Sequence, residues 1–166
     1  IKLSISAQQN YAPASFNTLT APAISDSFVL DEDGNADVTM QPVADYLFVN
    51  MMSTEPIQKL TLKLFHEEYG WLNIAGQGTL KPYTIKGSKT TRYFLSSDGM
   101  NQTEIVLNSG QLTGAVCHEP NVYVFTVPAG ILGTNQPIMA RIIVNNGEED
   151  AEWVDGKAYF DVTGTQ

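Results

Sequence analysis

The sequence predicts an all-β fold, an antiparallel β-sandwich of immunoglobulin-like or jelly-roll-like type with about a dozen short strands and almost no helix. Apolar and polar residues alternate with a period of two in several segments, which is typical of half-buried strands. Dipeptides that favour tight turns separate these segments at short intervals. No long window carries the apolar spacing of an amphipathic helix, so a parallel βαβ architecture is excluded for lack of crossover helices.

The clearest predicted strand is Gln58–His66, where leucines at alternate positions point to one face and lysine and threonine to the other. One buried and one solvated face is typical of an antiparallel sheet. Pro137–Asn145 alternates similarly, and Asn121–Val127 is apolar enough to be covered on both faces. The same pattern predicts strands at Ile1–Ala7, Ser27–Asp31, Ala36–Gln41, Asp45–Met51, Gly70–Ala75, Thr79–Ile85, Thr90–Ser96, Thr103–Leu107 and Lys157–Thr163.

The connections between strands are predicted from residues that accept positive φ. Four such dipeptides are Asp33-Gly34, Asp98-Gly99, Asn146-Gly147 and Asp155-Gly156. A single helical turn is predicted near Pro128–Leu132. We expect one domain over residues 1–166, with residues 8–24, rich in Ala, Pro, Ser and Thr, as an extended segment. Residues 51–56 are the candidate for a subdomain break.

Composition and charge exclude several function classes. Hydrophobic residues make up 43% of the chain and charged residues 16%, which suits a packed core and not a disordered chain. The formal net charge of -9 repels phosphate backbones, so no nucleic-acid partner is expected. No apolar run approaches the ~20 residues that span a bilayer. The single cysteine, Cys117, cannot form an internal disulfide and is interpreted as a small buried hydrophobe.

An acidic loop is the first candidate site. Asp31, Asp33, Asn35 and Asp37 place oxygen-bearing side chains at alternating positions, and oxygen donors are what Ca²⁺ requires. The loop differs from an EF-hand because its glycine stands at the fourth position and no glutamate follows at the twelfth. The alternative is an acidic hairpin turn built on Asp-Gly. Calcium is therefore the one cofactor that the sequence suggests.

Aromatic side chains near turns and strand ends form the second candidate site. Such faces on a β-sandwich can stack on sugar rings while nearby polar groups fix the orientation of the sugar. The candidates are Tyr69, Trp71, Tyr83, Tyr93 and Trp153. The alternative for Trp71 is the central tryptophan of the core. Trp153, in an acidic loop, is the aromatic least expected to be fully buried.

Basic residues are concentrated in the middle of the chain. Lys81, Lys86, Lys89 and Arg92 lie in a stretch that contains no acid between Thr79 and Ser97. Lysines on an edge strand protect it from pairing with other chains, which is the preferred interpretation. Pairing with acids elsewhere in the same molecule is the alternative.

Signals for catalysis are weak. The sequence contains no HExxH, G-x-S-x-G, Walker or G-x-G-x-x-G motif, and Gly76-Gln77-Gly78 is predicted to be a turn because no helix follows it. Cys117 and His118 are neighbours on a strand and would point to opposite faces, which disfavours a dyad. A carboxylate pair for glycoside hydrolysis stays an alternative, although the acids cluster in turns. We therefore expect no enzyme.

The composition and turn motifs of the chain resemble those of a known type of protein. The Ser/Thr/Ala/Pro-rich segment near the start, the D-x-D-G turn, the Asn/Asp/Gly-rich hairpins and the low cysteine content resemble uncharacterised secreted β-sandwich proteins and surface lipoproteins of Bacteroidetes. The resemblance implies an extracellular or cell-surface location, periplasmic or anchored to the outer membrane. It implies membrane attachment only through a lipid anchor in a removed segment, since no N-terminal cysteine is present. It assigns no functional residues.

Three functions follow as hypotheses. The first is a non-catalytic extracellular module that binds a glycan or a surface partner. The second is a structural or assembly subunit of adhesin, pilus or pore-forming type that adds a strand to a partner, suggested by an isolated first strand at Ile1–Ala7. The third is a glycoside hydrolase-like enzyme. The sequence alone does not select the ligand or the oligomeric state.

Overall fold

The computed structural model of the protein describes residues 1–13, 21–25, 27–51, 57–84, 86–87, 91–113, 121–131, 138–145 and 153–160, with the side chains of 110–113 and 153–160 outside that description. These ranges contain thirteen strands and no helix. The strands are β1 (Lys2–Ile5), β2 (Gln8–Asn10), β3 (Ala23–Ser25), β4 (Met40–Pro42), β5 (Ala44–Met51), β6 (Ile57–His66), β7 (Gly70–Trp71), β8 (Gly76–Thr84), β9 (Thr91–Ser96), β10 (Ile105–Thr113), β11 (Asn121–Pro128), β12 (Ile138–Asn145) and β13 (Trp153–Phe160).

The largest sheet is organised around β6. Its strand order is β13-β12-β6-β10-β2, and β7 also pairs with β6. The neighbours of β6 run antiparallel to it, whereas β2 runs parallel to β10. Leu60, Leu62 and Leu64 are all 0% exposed, so the predicted alternation does place the leucines on the core face. Burial of one leucine stabilises a fold by about 1.5–3 kcal/mol, and this strand contributes three.

The opposite layer combines two smaller sheets. β5 and β11 pair antiparallel along their full length, and β11 is buried on both faces from Tyr123 onward, as its sequence predicted. A three-stranded sheet of order β1-β8-β9 continues this layer. Two backbone bonds join them: Leu95 N–H donates to Val43 O at 2.6 Å, and Ala129 N–H donates to Leu95 O at 3.0 Å. The short β3–β4 pair lies beside them.

Between the layers lies a continuous apolar core. The core faces of β6, β10 and β12 pack with those of β5 and β11, and Ile5 and Leu95 extend this core to the three-stranded sheet. The fold is therefore an all-β sandwich of open sheets, which confirms the predicted class. No helix in the described ranges is long and apolar enough to cross a membrane.

Several local predictions were wrong. Ser27–Asp31 is in no strand, because no strand lies beside it in the described chain. Of Ala36–Gln41 only Met40 and Gln41 are in a strand, where β3 pairs with them. Gln8–Asn10, expected in an extended tether, is β2. The segment Gly76–Gly78, predicted as a turn, begins β8. The Asp155-Gly156 dipeptide lies inside β13 instead of at a turn, where Gly156 pairs with Ile142.

Two turn predictions were confirmed, the prediction of an isolated first strand was wrong, and three further predictions fall outside the described ranges. Gly34 and Gly99 adopt positive φ of 81° and 95°, as their turns require. The first strand is not isolated, because β1 pairs with β8 from Lys2 to Ile5. The Asn146-Gly147 dipeptide, residues 52–56 and Cys117 with its neighbour histidine fall outside the described residues.

Candidate functional site

A cleft opens at one end of the sandwich, where the ends of β6, β9 and β11 meet the β7 hairpin. Its volume is about 320 Å³, at the lower end of the range for small-molecule sites. We call the aromatic and apolar part of its lining the aromatic wall, and the part with hydroxyl and amide groups the polar wall. We call the whole cleft the end cleft, and its lining consists of His66, Tyr69, Leu72, Asn73, Phe94, Ser96, Ser97, Ala129, Gly130 and Ile131.

The aromatic wall is built by the turn that follows β6. The chain reverses through Glu67–Tyr69, and Gly70 at φ 73° starts the returning strand. His66 is only 4% exposed, and its Nδ1 accepts a hydrogen bond from Glu68 N–H at 3.1 Å. In the neutral imidazole this bond places the proton on Nε2.

Tyr69 presents its ring at the mouth of the cleft. The ring stacks on the His66 imidazole with centroids 4.7 Å apart and planes 25° apart, yet the residue is 69% exposed. One face of the ring is therefore supported by the protein while much of the rest faces solvent. The negative charge of Glu68, and the hydrogen bond that the Tyr69 hydroxyl donates to it, raise the pKa of Tyr69 above its ordinary value of 10.0. The hydroxyl stays neutral at physiological pH.

The polar wall comes mainly from the end of β9 and its turn, with Asn73 added after β7. The Ser96 Oγ accepts a hydrogen bond from Asp98 N–H at 3.2 Å, which ties this hydroxyl to the turn. Asn73 and Ser97 supply the remaining polar side chains of the lining. Across the cleft, Gly130 N–H donates to Asp45 Oδ2 at 2.8 Å and holds the loop after β11 in place. The end cleft is thus held by hydrogen bonds on both sides.

Comparison with protein-family models, curated proteins and solved structures found no match. The chemistry of the described surface is therefore the basis for any functional conclusion.

The five predicted aromatic residues do not form one row. Tyr69 lines the end cleft. Tyr83 does not line it, but its ring meets the edge of Phe94, a lining residue of the cleft, with centroids 5.9 Å apart. Tyr93 is adjacent to Phe94 on β9 and therefore faces the other side of that sheet, where it lines a different groove. The backbone of Trp153 begins β13, and its side chain lies outside the description. The structure thus brings one predicted aromatic directly into the cleft and a second beside it.

Trp71 is not the central tryptophan of the core. It is 37% exposed on the outer face of the large sheet, where Phe65 meets it edge-on at 5.2 Å. Lys63 Nζ and Arg141 Cζ lie 5.0 and 5.1 Å from its ring centroid, and Lys63 also pairs with Glu104 at 2.8 Å. These contacts are cation–π interactions on the solvated side of the sheet. Trp71 pairs with Phe65, and Phe65 alternates along β6 with the buried leucines. Both aromatic side chains therefore lie on the outer face of the sheet.

The predicted calcium loop is a hydrogen-bonded turn. Asp31 Oδ1 accepts bonds from Asp33 N–H at 3.0 Å and from Asn35 N–H at 2.7 Å, and Asp31 N–H donates to Asn35 O at 2.8 Å. Asp31, Asn35 and Asp37 also line a shallow surface groove. Among the residues described, no group of three or more His, Cys, Asp or Glu side chains is arranged to hold a metal ion. Calcium binding stays a prediction.

The polar side chains of the cleft were missed by sequence reasoning. His66, Asn73, Ser96 and Ser97 each follow a strand or end one, but they come from separate hairpins. Their common feature in the sequence is a position next to a turn, which many other polar residues share. Only the packing of the two sheets, which brings the ends of β6 and β9 into one cleft, identifies them.

Proposed function

We propose that this chain is a non-catalytic extracellular binding module that holds a glycan in the end cleft. The observation that carries the proposal is the Tyr69 ring, supported on one face by buried His66 and 69% exposed at the mouth. A sugar ring presents C–H groups on its face, and these pack favourably against an aromatic ring. A pre-oriented ring avoids much of the entropy cost of ordering a side chain on binding.

The polar wall supplies the groups that would orient the sugar. Asn73 offers an amide with two donors and a carbonyl acceptor, and Ser97 offers a hydroxyl that both donates and accepts. Sugar hydroxyls require this mixture, because each of them is a donor and an acceptor at once. A cleft of about 320 Å³ suits one or two sugar rings rather than a long chain.

The lining favours binding over hydrolysis. Glycoside hydrolysis uses two carboxyl groups roughly 5–9.5 Å apart on either side of the scissile bond. The described lining of the end cleft contains hydroxyl, amide and imidazole groups but no carboxylate. Three acids beside the lining are engaged by other groups: Glu68 by the Tyr69 hydroxyl, Asp45 by Gly130 N–H and Asp98 by Lys81. Simple recognition is therefore the activity that this surface supports best.

The test is a glycan-array screen followed by calorimetric titration of any hit. We expect Tyr69→Ala to weaken binding at least tenfold while leaving the thermal unfolding midpoint nearly unchanged, because the ring is mostly exposed. Tyr93→Ala is the matched control, since this tyrosine is also exposed but faces the other side of the sheet. Equal affinity of Tyr69→Ala and the unsubstituted chain, or no binding to any glycan, would overturn the proposal.

A further inference from the structure

An exposed arm projects from the second layer of the sandwich. β3 and β4 pair from Ala23↔Pro42 to Ser25↔Met40, so the intervening chain leaves the body at a two-stranded base. We call residues 27–40 the arm. Every residue of it is exposed except Ala36, which is half-buried.

Several large apolar side chains of the arm are exposed to solvent. Phe28 is 53% exposed, Val29 89% and Leu30 57%, and Val38 and Met40 add 43% and 56%. These five are among the eleven large hydrophobic side chains that are exposed in the described chain. Exposed apolar side chains concentrated in one segment favour an interaction site, because burying their surface gains about 25 cal/mol per Å².

The tip of the arm is ordered rather than frayed. Four hydrogen bonds close the turn at Asp31–Asn35, two of them to the Asp31 carboxylate. The preceding residues, Ser27–Leu30, have the aromatic and β-branched composition of a strand but no strand beside them in the described chain. A strand-forming segment without a partner strand is suited to pair with another molecule.

A receiving edge lies on β9. This strand ends the order β1-β8-β9, and its outward backbone groups at Leu95 bond to Val43 and Ala129. Outward groups recur every second residue, so those of Tyr93 and Thr91 also point away from β8. In the described chain no strand covers them.

A groove of about 710 Å³ runs beside this edge. Its floor is apolar, with Leu80 and Tyr93 from the sheet facing Ile24 and Met40 from the base of the arm. Phe28 and Val29 of the same molecule do not line it. The groove therefore offers both an unpaired backbone edge and an apolar surface for a short strand.

Charge favours pairing of the arm with this edge. The arm carries Asp31, Glu32, Asp33 and Asp37 and no basic residue. The hairpin of β8 and β9 carries four bases and no acid between Thr79 and Ser97, and both Lys86 and Arg92 are exposed. The two ion pairs in the described chain, one of which joins Lys81 to Asp98, do not involve the arm.

We propose that the arm of one copy docks into the groove beside β9 of a second copy, with Phe28–Leu30 pairing to the edge at Thr91–Tyr93. The occupant is a second copy because acidic arm and basic edge are both present on this chain. The arm base forms one wall of the groove, so reciprocal docking about a two-fold axis satisfies both arms at once. The smallest closed assembly is a dimer with exchanged arms. This inference does not rest on glycan binding.

Sedimentation velocity over a range of concentrations tests it. We expect concentration-dependent self-association that weakens at high salt, because the arm and edge carry opposite charges. Val29→Ser should raise the dissociation constant at least tenfold without changing the circular dichroism spectrum, since Val29 is almost fully exposed. Phe48→Ser is the matched control, because Phe48 is 54% exposed but belongs to neither arm nor groove.

A cross-linking experiment identifies the contact. A photoreactive amino acid at position 29 in isotopically light chain, mixed with heavy chain, distinguishes bonds between copies from bonds within one copy. Light–heavy cross-links to residues 91–93 support the proposal. A monomer at all concentrations overturns the second copy as occupant in favour of another protein. Self-association that Val29→Ser leaves unchanged, or cross-links within single copies only, overturns it as well. Tyr69→Ala should not affect association, so this result is independent of the glycan test.

Discussion

The side-chain amide of Gln9 pairs with the backbone of Thr126 as a neighbouring strand would. Gln9 Nε2 donates to Thr126 O at 2.9 Å, and Thr126 N–H donates to Gln9 Oε1 at 2.9 Å. Both residues are buried, at 2% and 1% exposure. The amide thereby links the edge of the large sheet to β11 in the opposite layer.

Replacing this amide should destabilise the fold strongly. Gln9→Met keeps nearly the same volume but leaves the buried N–H and C=O of Thr126 without partners. Each unpaired buried group costs about 1–3 kcal/mol, so we expect a loss of about 2–4 kcal/mol in the free energy of unfolding. Urea denaturation measures the loss.

The neighbouring glutamine provides the control for this prediction. Gln8 is exposed and makes one side-chain bond, to Asn108 at 3.0 Å. Gln8→Met should cost less than about 1 kcal/mol. Similar losses for the two variants would show that the Gln9–Thr126 pair does not join the layers.

The fold was predictable where local sequence and burial agree. The alternating leucines of β6 and the two-sided burial of β11 follow directly from their sequences. Ser27–Asp31 has an equally strand-like composition, yet it joins no strand, because strand formation depends on a neighbour that composition does not specify. Gly76-Gln77-Gly78 was misassigned for the converse reason. Its glycines permit a turn, but β1 lies beside them and pairs with them.

Position 78 in β8 requires glycine because Ser96 and Met100 pack closely against it. A Cβ at this position would lie 2.5 Å from Ser96 O and 2.7 Å from the Met100 methyl carbon. The methionine can move, but the backbone oxygen belongs to the paired strand. We expect Gly78→Ala to lower the free energy of unfolding by about 1–3 kcal/mol, measured by urea denaturation.

A second glycine separates crowding from backbone strain. Gly87 has φ 88°, and no heavy atom lies within 4 Å of the point that a Cβ would occupy, so Gly87→Ala tests strain without crowding. That variant should cost about 1 kcal/mol. If Gly78→Ala proved the milder of the two changes, the close approach of β8 to Ser96 would be refuted.

Lys81 controls the titration of Asp98 across the β8–β9 pair. The hydrogen bond and the charge of Lys81 lower the pKa of Asp98 below its ordinary value of 3.8, with a smaller contribution from Ser96. Because the folded-state pKa is depressed, the stabilisation from this pair is present above the unfolded pKa and is lost as pH falls through the folded one. In Lys81→Met the pKa of Asp98 should rise toward 3.8. Carboxyl-carbon NMR titration measures this directly.

Lys86 serves as the comparison for that titration. It is exposed in the same hairpin and forms no ion pair among the described residues. Lys86→Met should leave the Asp98 titration nearly unchanged. An Asp98 midpoint that is the same in the unsubstituted chain and in Lys81→Met would exclude the ion pair in solution.

The end cleft was only partly predictable. Tyr69 was identified because an aromatic beside a glycine turn is a common exposed position. The stacking of Tyr69 on His66 was not predicted. A histidine at the end of an alternating strand is usually interpreted as a core residue, and Tyr69 lies three positions after it, across a turn. Ser96 and Ser97 enter the cleft only through the pairing of β9 with β8 and the backbone bonds of β9 to Val43 and Ala129. Such long-range neighbours leave no periodic signal in a single sequence.

Asp31 should control the order of the arm tip. Its carboxylate oxygen accepts from the Asp33 and Asn35 amides, so Asp31→Ala removes both bonds. We expect hydrogen exchange at these two amides to accelerate several-fold, while the global unfolding midpoint changes little because the arm is exposed. NMR-detected exchange resolves the two sites. Asp31→Asn keeps an acceptor oxygen and should preserve most of the protection.

The same spectra with and without Ca²⁺ test the calcium hypothesis. We expect the exchange rates of the Asp33 and Asn35 amides to be unaffected by the ion. Slower exchange in Ca²⁺ that disappears in Asp31→Ala would instead make the loop a cation site.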